Sequence, residues 1–181
     1  MRARGGGAWH RVLSMTTTPA PSAAKLLRRM QSPLLMRLYF LAKLPLALVA
    51  GLKVREITEE RCVTSVPYGW RSTNPFRSTY FAAQAMAAEL STGALALLAT
   101  ELTPAPVAML IVGLEASFEK KATALTTFVC PDGAKVAAAV AAAVRTGEPA
   151  TARLETVGTM PDGTVVARFA FTWSFKKRSR S

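Results

Sequence analysis

Histidine is all but missing from this chain: His10 is the single one among 181 residues, and it lies in a glycine-rich opening stretch. That disfavours Ser-His-Asp and Cys-His catalysis and any zinc site built on imidazole ligands. A catalytic base, if the chain has one, is expected to be a carboxylate. Cysteine is nearly as scarce. Cys62 and Cys130 stand 68 positions apart with no paired spacing, so they offer no metal motif and no secreted disulfide scaffold, and burial in strand-like stretches is the simpler reading. Acids are absent from residues 1–55, which carry ten Lys or Arg, whereas residues 56–175 carry nine basic and eleven acidic side chains and residues 176–181 four basic ones. The net charge of +12 therefore belongs to the two ends, and the middle is close to neutral. That is a poor match to a nucleic-acid-binding domain, whose own folded face should be basic. The most membrane-like stretch, residues 25–52, is interrupted by Arg37, Lys43 and Pro45. Each charge at the centre of a span costs about 2.5 to 3.5 kcal/mol, and the proline would kink or break a helix.

What remains is half hydrophobic and 19% charged, a balance that supports one packed core in a chain of this length. Residues 1–24 read as a flexible basic arm, with an organellar transit segment or a start at Met15 as alternatives. Residues 25–51 form a basic helical extension of one or two amphipathic helices. It either packs on the domain or lies on an anionic membrane surface through Arg28, Arg29, Arg37 and Lys43. The domain proper is expected over 52–177, with a basic tail at 178–181.

Inside the domain the patterning predicts a strand pair, Lys53 to Thr58 and Arg61 to Pro67, then a polar loop. A helix is expected from Ser78, whose side chain suits capping, to Glu101, ahead of Pro104 and Pro106. Val107 to Phe118 and Ala122 to Cys130 read as strands. A short helix over 134–146, striped by Val136, Val140 and Val144, is expected to cover a sheet edge. Thr151 to Gly158 and Thr164 to Phe175 form the last pair, and alternation puts Ala167, Phe169, Phe171, Trp173 and Phe175 on one buried face. The two Pro-Asp-Gly triplets read as turns.

The long helix is apolar on nearly every face, which marks it as buried. Its one formal charge before Thr100 is Glu89, and a buried carboxylate must gain a proton or a cationic partner. Two strands, a buried central helix and further antiparallel strands, together with the segments NPFRSTYFAAQAMAAELSTG at 74–93, ASFEKKA at 116–122 and GTVVARFAFTWSFKKR at 163–178, resemble the hot-dog superfamily. The nearest likeness is to a bacterial thioesterase-like domain family of unknown function, similar to the phenylacetyl-CoA type of acyl-CoA thioesterases. The resemblance implies an α+β hot-dog fold, with an antiparallel sheet wrapped around the long helix and an N-terminal helical extension. It also implies a homodimer or tetramer, and a cytoplasmic location unless the basic extension makes a peripheral membrane contact.

In active members a loop Asn precedes a His-Gly-Gly that opens the helix, with Asp or Glu nine residues after that His. Here Asn74 holds the loop position, Tyr80, Phe81 and Ala82 replace His-Gly-Gly, and Glu89 keeps the carboxylate. The implied activity is hydrolysis of an acyl-CoA or acyl-carrier-protein thioester, with no cofactor beyond the CoA or carrier of the substrate and no metal. Glu89 would serve as base or nucleophile and Asn74 would position the carbonyl or the water. Backbone N–H groups of Phe81 and Ala82 would polarise the thioester. Tyr80, Phe81, Ala82, Arg77 and Met86 would contact substrate, and Arg71, Lys120 and Lys121 stand where phosphates would be met. Structural readings stay open beside these: an ion pair of Glu89 with Arg77 or with a lysine across a dimer, Asn74 as a loop-capping amide, and solvated Arg and Lys. The alternative function is noncatalytic acyl-chain or lipid binding, or a membrane-peripheral role.

Overall fold

Prolines at positions 21, 33 and 45 divide the N-terminal region into three helices: α1 (Pro21–Gln31), α2 (Pro33–Lys43) and α3 (Pro45–Ala50). Each proline opens its helix, where the missing N–H has no intrahelical partner to lose and the ring pre-sets φ. The chain is described here by a computed structural model covering residues 21–178. The expectations for residues 1–20, including a start at Met15, and for the last three residues of the basic tail lie outside the described residues. Residues 21–24, expected in the arm, are thus helical, and the extension contains three helices rather than one or two, because Pro33 and Pro45 each start a new helix as well as ending the one before. Buried Ala23, Leu26 and Met30 seat α1, and Met36 and Phe40 seat α2, each set at helical spacing.

The domain continues with β1 (Lys53–Ile57), β2 (Cys62–Val66), α4 (Phe81–Leu102), β3 (Val107–Phe118), β4 (Thr126–Cys130), α5 (Gly133–Thr146), β5 (Ala150–Thr159) and β6 (Val165–Lys177). One six-stranded sheet results, in the order β1-β2-β4-β5-β6-β3, and every pairing is antiparallel. The sheet curls around α4, which touches all six strands. Small residues let it come close: Ala83, Ala87, Ala88, Ala94 and Ala96 are buried against their surroundings. Polar clasps then fix its rotation. Thr64 Oγ1 donates to the Ala87 carbonyl at 2.6 Å, Ser91 Oγ donates to Thr156 Oγ1 at 2.9 Å, and the Trp173 indole N–H donates to Thr92 Oγ1 at 3.1 Å. Among the described helices only α4 is long and apolar enough to cross a bilayer, and its place inside the sheet explains that composition.

On β6 Ala167, Phe169, Phe171, Trp173 and Phe175 are buried as expected, but Val166 and Ala170 of the opposite face are buried as well, so the strand is not covered on one face alone. Phe128 on β4 lies over Gly158 of β5, where an added Cβ would come within 2.5 Å of the ring. A glycine is the only residue that lets this fully buried ring seat, and truncating such a ring costs about 3 to 5 kcal/mol. Cys62 and Cys130 are buried free thiols on directly opposed positions of β2 and β4.

Three local expectations need correction. Ser78 does not cap the helix: its Oγ is turned to Asn74 and the helix starts at Phe81, behind Tyr80. Residues 122–125 are not strand, because the Ala122 carbonyl is taken by the Thr79 N–H at 2.7 Å and the chain must cross to the helix start before pairing begins at Thr126. α5 packs beside α4 on the face of β5 and β6 rather than over a sheet edge, since its Val136 and Val140 stripe needs apolar cover that an edge cannot supply.

Candidate active site

The loop from Pro67 to Tyr80 carries the chain from β2 to the start of α4, and its polar groups are nearly all spent on holding it. Asn74 Oδ1 accepts from the Phe76 N–H at 3.0 Å and from the Ser78 N–H and Oγ at 3.2 Å each. The Asn74 N–H donates to the Ser78 carbonyl and the Arg77 N–H to the Asn74 carbonyl, both at 3.0 Å. Arg77 adopts φ of 57°, the left-handed conformation that closes this tight loop. The Asn74 amide oxygen is thereby a loop cap, and its NH2 is left as the group able to donate outward, with no acceptor among the described residues.

Ser72 and Ala122 clamp the helix start through the Tyr80 and Thr79 N–H groups. The Phe81 and Ala82 N–H groups beyond them find no acceptor among the described residues, as the first turn of a helix dictates. They remain a donor pair at the positive end of the α4 dipole. Aromatic rings ladder over this end: Tyr80 meets Phe81 at 4.9 Å, Phe81 meets Phe118 of β3 at 6.4 Å, and Phe118 meets Phe169 at 5.6 Å. Tyr80, Phe81 and Phe118 are nonetheless about half exposed.

Glu89 lies two turns further along α4. It shares one face with Ala82, Met86 and Gly93, at spacings of four, three and four residues, and this face is only partly covered. Its carboxylate takes part in no hydrogen bond or ion pair among the described residues, and Arg77 is not its partner. Burial, with no counter-charge, pushes its pKa above the ordinary carboxylate value. The carboxylate has a seat of defined shape. A Cβ on Gly93 would fall 2.8 Å from Glu89 Oε1 and 3.3 Å from Trp173 Cζ2, so the absence of a side chain at 93 opens the niche that carboxylate and indole share.

The structure thus brings Ala82, Met86 and Glu89 onto one helix face and groups Asn74, Arg77 and Tyr80 at the helix start. At 1.5 Å per residue, Glu89 stands about 10 to 12 Å along the axis from the free N–H pair of its own chain. Arg71 leans on Gly51 at the end of α3, Lys121 donates to the Phe76 carbonyl at 3.3 Å, and Arg77 and Lys120 are exposed. No group of three His, Cys, Asp or Glu able to hold a metal gathers among the described residues. Sequence reasoning missed Gly93, Trp173 and Gln84, the last of which ties the Thr79 carbonyl through Nε2 while its Oε1 is buried without a donor. Gly93 had a signal: a lone glycine in an Ala/Leu helix costs about 1 kcal/mol against alanine and implies a close approach. Trp173 had none, being 84 residues from Glu89 in sequence.

The same architecture occurs in solved structures of low sequence identity. A thioesterase candidate from Shewanella oneidensis matches with a TM-score of 0.66 at 14% identity, over 83% of this chain and 97% of that one. A Pseudomonas aeruginosa protein of unknown function, described as a probable thioesterase, matches with a TM-score of 0.67 at 20% identity, over 83% and 99%. A Staphylococcus aureus protein, solved with a glutamate replaced by alanine, matches with a TM-score of 0.56 at 13% identity, over 74% and 99%. The same protein, there called a thioesterase enzyme, has also been solved with a glutamine replaced, at a TM-score of 0.55 and 13% identity over 73% and 98%. These likenesses show the hot-dog fold. No curated protein matches the sequence. A family model does match, over residues 34–175, a span that takes in α2 from its second residue, α3, the clamped loop, the Glu89 helix, β1 to β5 and β6 up to Phe175: the chain belongs to the family described as Domain of unknown function, DUF4442.

Proposed function

We propose that this protein is an acyl-thioester hydrolase acting on acyl-CoA or acyl-carrier-protein thioesters, and that it works as a homodimer. The observation that carries the reading is Glu89: a half-buried carboxylate with no partner among the described residues, a raised pKa and a glycine-lined seat on the open face of the central helix. Such a group, raised by burial and left without a counter-charge, is a candidate general base. Glu89 takes a proton from water as the water oxygen bonds to the thioester carbonyl carbon. The C–S bond then breaks, the sulfur leaves with that proton, and a carboxylic acid and a thiol are released. The Phe81 and Ala82 N–H groups receive the developing oxyanion, a service worth about 2.7 to 4 kcal/mol per donor elsewhere. The Asn74 NH2 orients the carbonyl or the water. Met86 and the aromatic ladder hold the acyl chain, and exposed Arg77 and Lys120 meet phosphates of the carrier.

The homodimer follows from reach. A carbonyl bonded at about 3 Å to the donors of one helix start cannot also sit beside a carboxylate about 10 to 12 Å along the same helix. A second copy presenting its own helix start to Glu89 resolves this. β3 offers the edge for it: a terminal strand of twelve residues whose Leu110, Val112, Leu114 and Phe118 are exposed, a surface that invites pairing. The names of the structural neighbours agree with this reading. So does a spacing: Asn74 and Glu89 stand 15 residues apart, and the glutamine and glutamate replaced in the two Staphylococcus aureus structures are also 15 positions apart.

The test is thiol release from short to long acyl-CoA substrates by wild type, Glu89→Ala and Glu89→Gln. Turnover that collapses in both variants with the circular dichroism unchanged supports the proposal. Retained turnover in the variants overturns the role of Glu89. Tight acyl-CoA binding without turnover in any of the three makes the protein an acyl-binding one.

A further inference from the structure

α2 is apolar on two opposite sides. Met36 and Phe40 face the core, while Leu34, Leu38 and Leu41, at i, i+4 and i+7, form a second stripe that is 67%, 54% and 63% exposed. α3 follows directly and adds Leu46, 70% exposed, and Val49, 57% exposed. At the end of α3, Gly51 lies against Pro67 and the Arg71 guanidinium of the loop between β2 and α4, and that loop also carries Trp70, 89% exposed. A helix with leucine on both sides is covered on both sides in a stable arrangement, and here one side has no cover among the described residues.

The charge around this face selects the cover. Residues 21–55 carry Lys25, Arg28, Arg29, Arg37, Lys43, Lys53 and Arg55 and no acid at all. Arg29 is engaged, stacking on the Tyr39 ring at 4.2 Å, and Arg55 donates to Ser65, whereas Arg28, Arg37, Lys43 and Lys53 are exposed. A second copy docking here about a two-fold axis would press this patch onto itself and set cation against cation. Residues 1–20 would bring three more arginines and no acid. A surface of anionic lipid satisfies both needs: acyl chains receive the leucines, headgroups pair with the cations, and an exposed tryptophan suits the boundary between them.

We infer that the outward face of α2 and α3, with Trp70, is a docking surface for anionic membrane, on which the protein lies without spanning it. The leucines and cations of this surface take no part in the proposed hydrolysis, and the surface stands or falls independently of it.

The full chain is sedimented with vesicles of phosphatidylcholine alone and of phosphatidylcholine with about one-third phosphatidylglycerol. The expected result is binding to the anionic vesicles only, weakened by salt. Leu38→Ser with Leu41→Ser lowers the partition coefficient at least about tenfold, in keeping with the leucine area withdrawn from the bilayer. Arg37→Glu with Lys43→Glu lowers it as well. In a Trp9→Phe background the emission of Trp70 shifts to the blue on vesicle binding, and the shift vanishes in Trp70→Phe. Leu38 and Leu41 are exposed, so the fold persists in the serine variant, as circular dichroism and unchanged acyl-CoA turnover in lipid-free buffer would record. Absence of binding by folded wild type overturns the inference. Binding that the leucine changes leave intact overturns it too, since the basic ends alone would then account for the attraction. A fall in oligomer mass in the leucine variant without vesicle binding assigns the face to a second copy instead.

Discussion

Replacing Gly93 with alanine separates the presence of the Glu89 carboxylate from its position. The new Cβ would stand 2.8 Å from Glu89 Oε1, with Trp173 Cζ2 and Cη2 at 3.3 and 3.4 Å. Ordinary contacts begin near 3.5 Å, so the carboxylate has to retreat by about 0.7 Å or more, while the indole gives by a few tenths. The carboxylate is the free end of a flexible side chain, so its retreat is cheap for folding. Alanine in mid-helix gains about 0.8 to 1.0 kcal/mol over glycine, which offsets the crowding against Trp173. The melting temperature should therefore move by no more than about 4 °C, the shift expected of roughly 1 kcal/mol in a chain of this size. Turnover should not survive so well, because a displacement near 1 Å costs roughly a hundredfold in a positioned reaction. The assay is thiol release from the best acyl-CoA substrate beside a thermal melt, for wild type, Gly93→Ala, Glu89→Gln and the double variant. The expected pattern is a stable, slow Gly93→Ala protein and a double variant no slower than Glu89→Gln, since both changes act through one carboxylate. A Gly93→Ala enzyme with wild-type turnover would refute the reasoning, as would a double variant whose losses simply multiply.

Glu89→Gln should also change the pH dependence of stability. Burial raises the Glu89 pKa, so the folded chain holds the proton at pH values where the unfolded chain has lost it. The stabilisation from this carboxyl is complete below the ordinary carboxylate range near pH 4 and is lost as pH rises through the raised value. The glutamine variant should thus melt above wild type at neutral pH and level with it in acid; calorimetry showing a constant offset would contradict the assignment. Leu114→Lys places a charge on the β3 edge and should halve the mass seen by light scattering and abolish turnover; an unchanged mass would move the subunit contact elsewhere. The Cys130 thiol is pushed up to about 11 by burial and Cys62 further still, so neither should react with an aromatic disulfide reagent at neutral pH until denaturant is added. Rapid labelling of the native protein would show that β2 and β4 open readily.

Much of this arrangement was legible in the sequence because it rests on local patterns. The unbroken Ala/Leu run ahead of Pro104 gave away α4, the alternation from Ala167 to Phe175 gave away the buried face of β6, and Glu89 stood out as the one charge before Thr100 in a helix with no polar face. The prolines at 33 and 45 were legible as breaks but not as openings of further helices, since proline is compatible with both. Ser78 looked like a cap because serine suits that place, yet the loop bonds of Asn74 claimed its hydroxyl.

By itself, then, the sequence determined the element order, the apolar central helix with the Glu89 carboxylate in its middle, and the confinement of net positive charge to the ends. These follow from periodicity and composition, which act between near neighbours. The tertiary structure decided what stands against what: the Gly93 and Trp173 seat of Glu89, the clamp of Ala122 on Thr79, the place of α5, and the leucine face of α2 left open on its far side. Each of these joins residues distant in the chain or depends on which of two apolar faces packs first, and no local pattern encodes that choice.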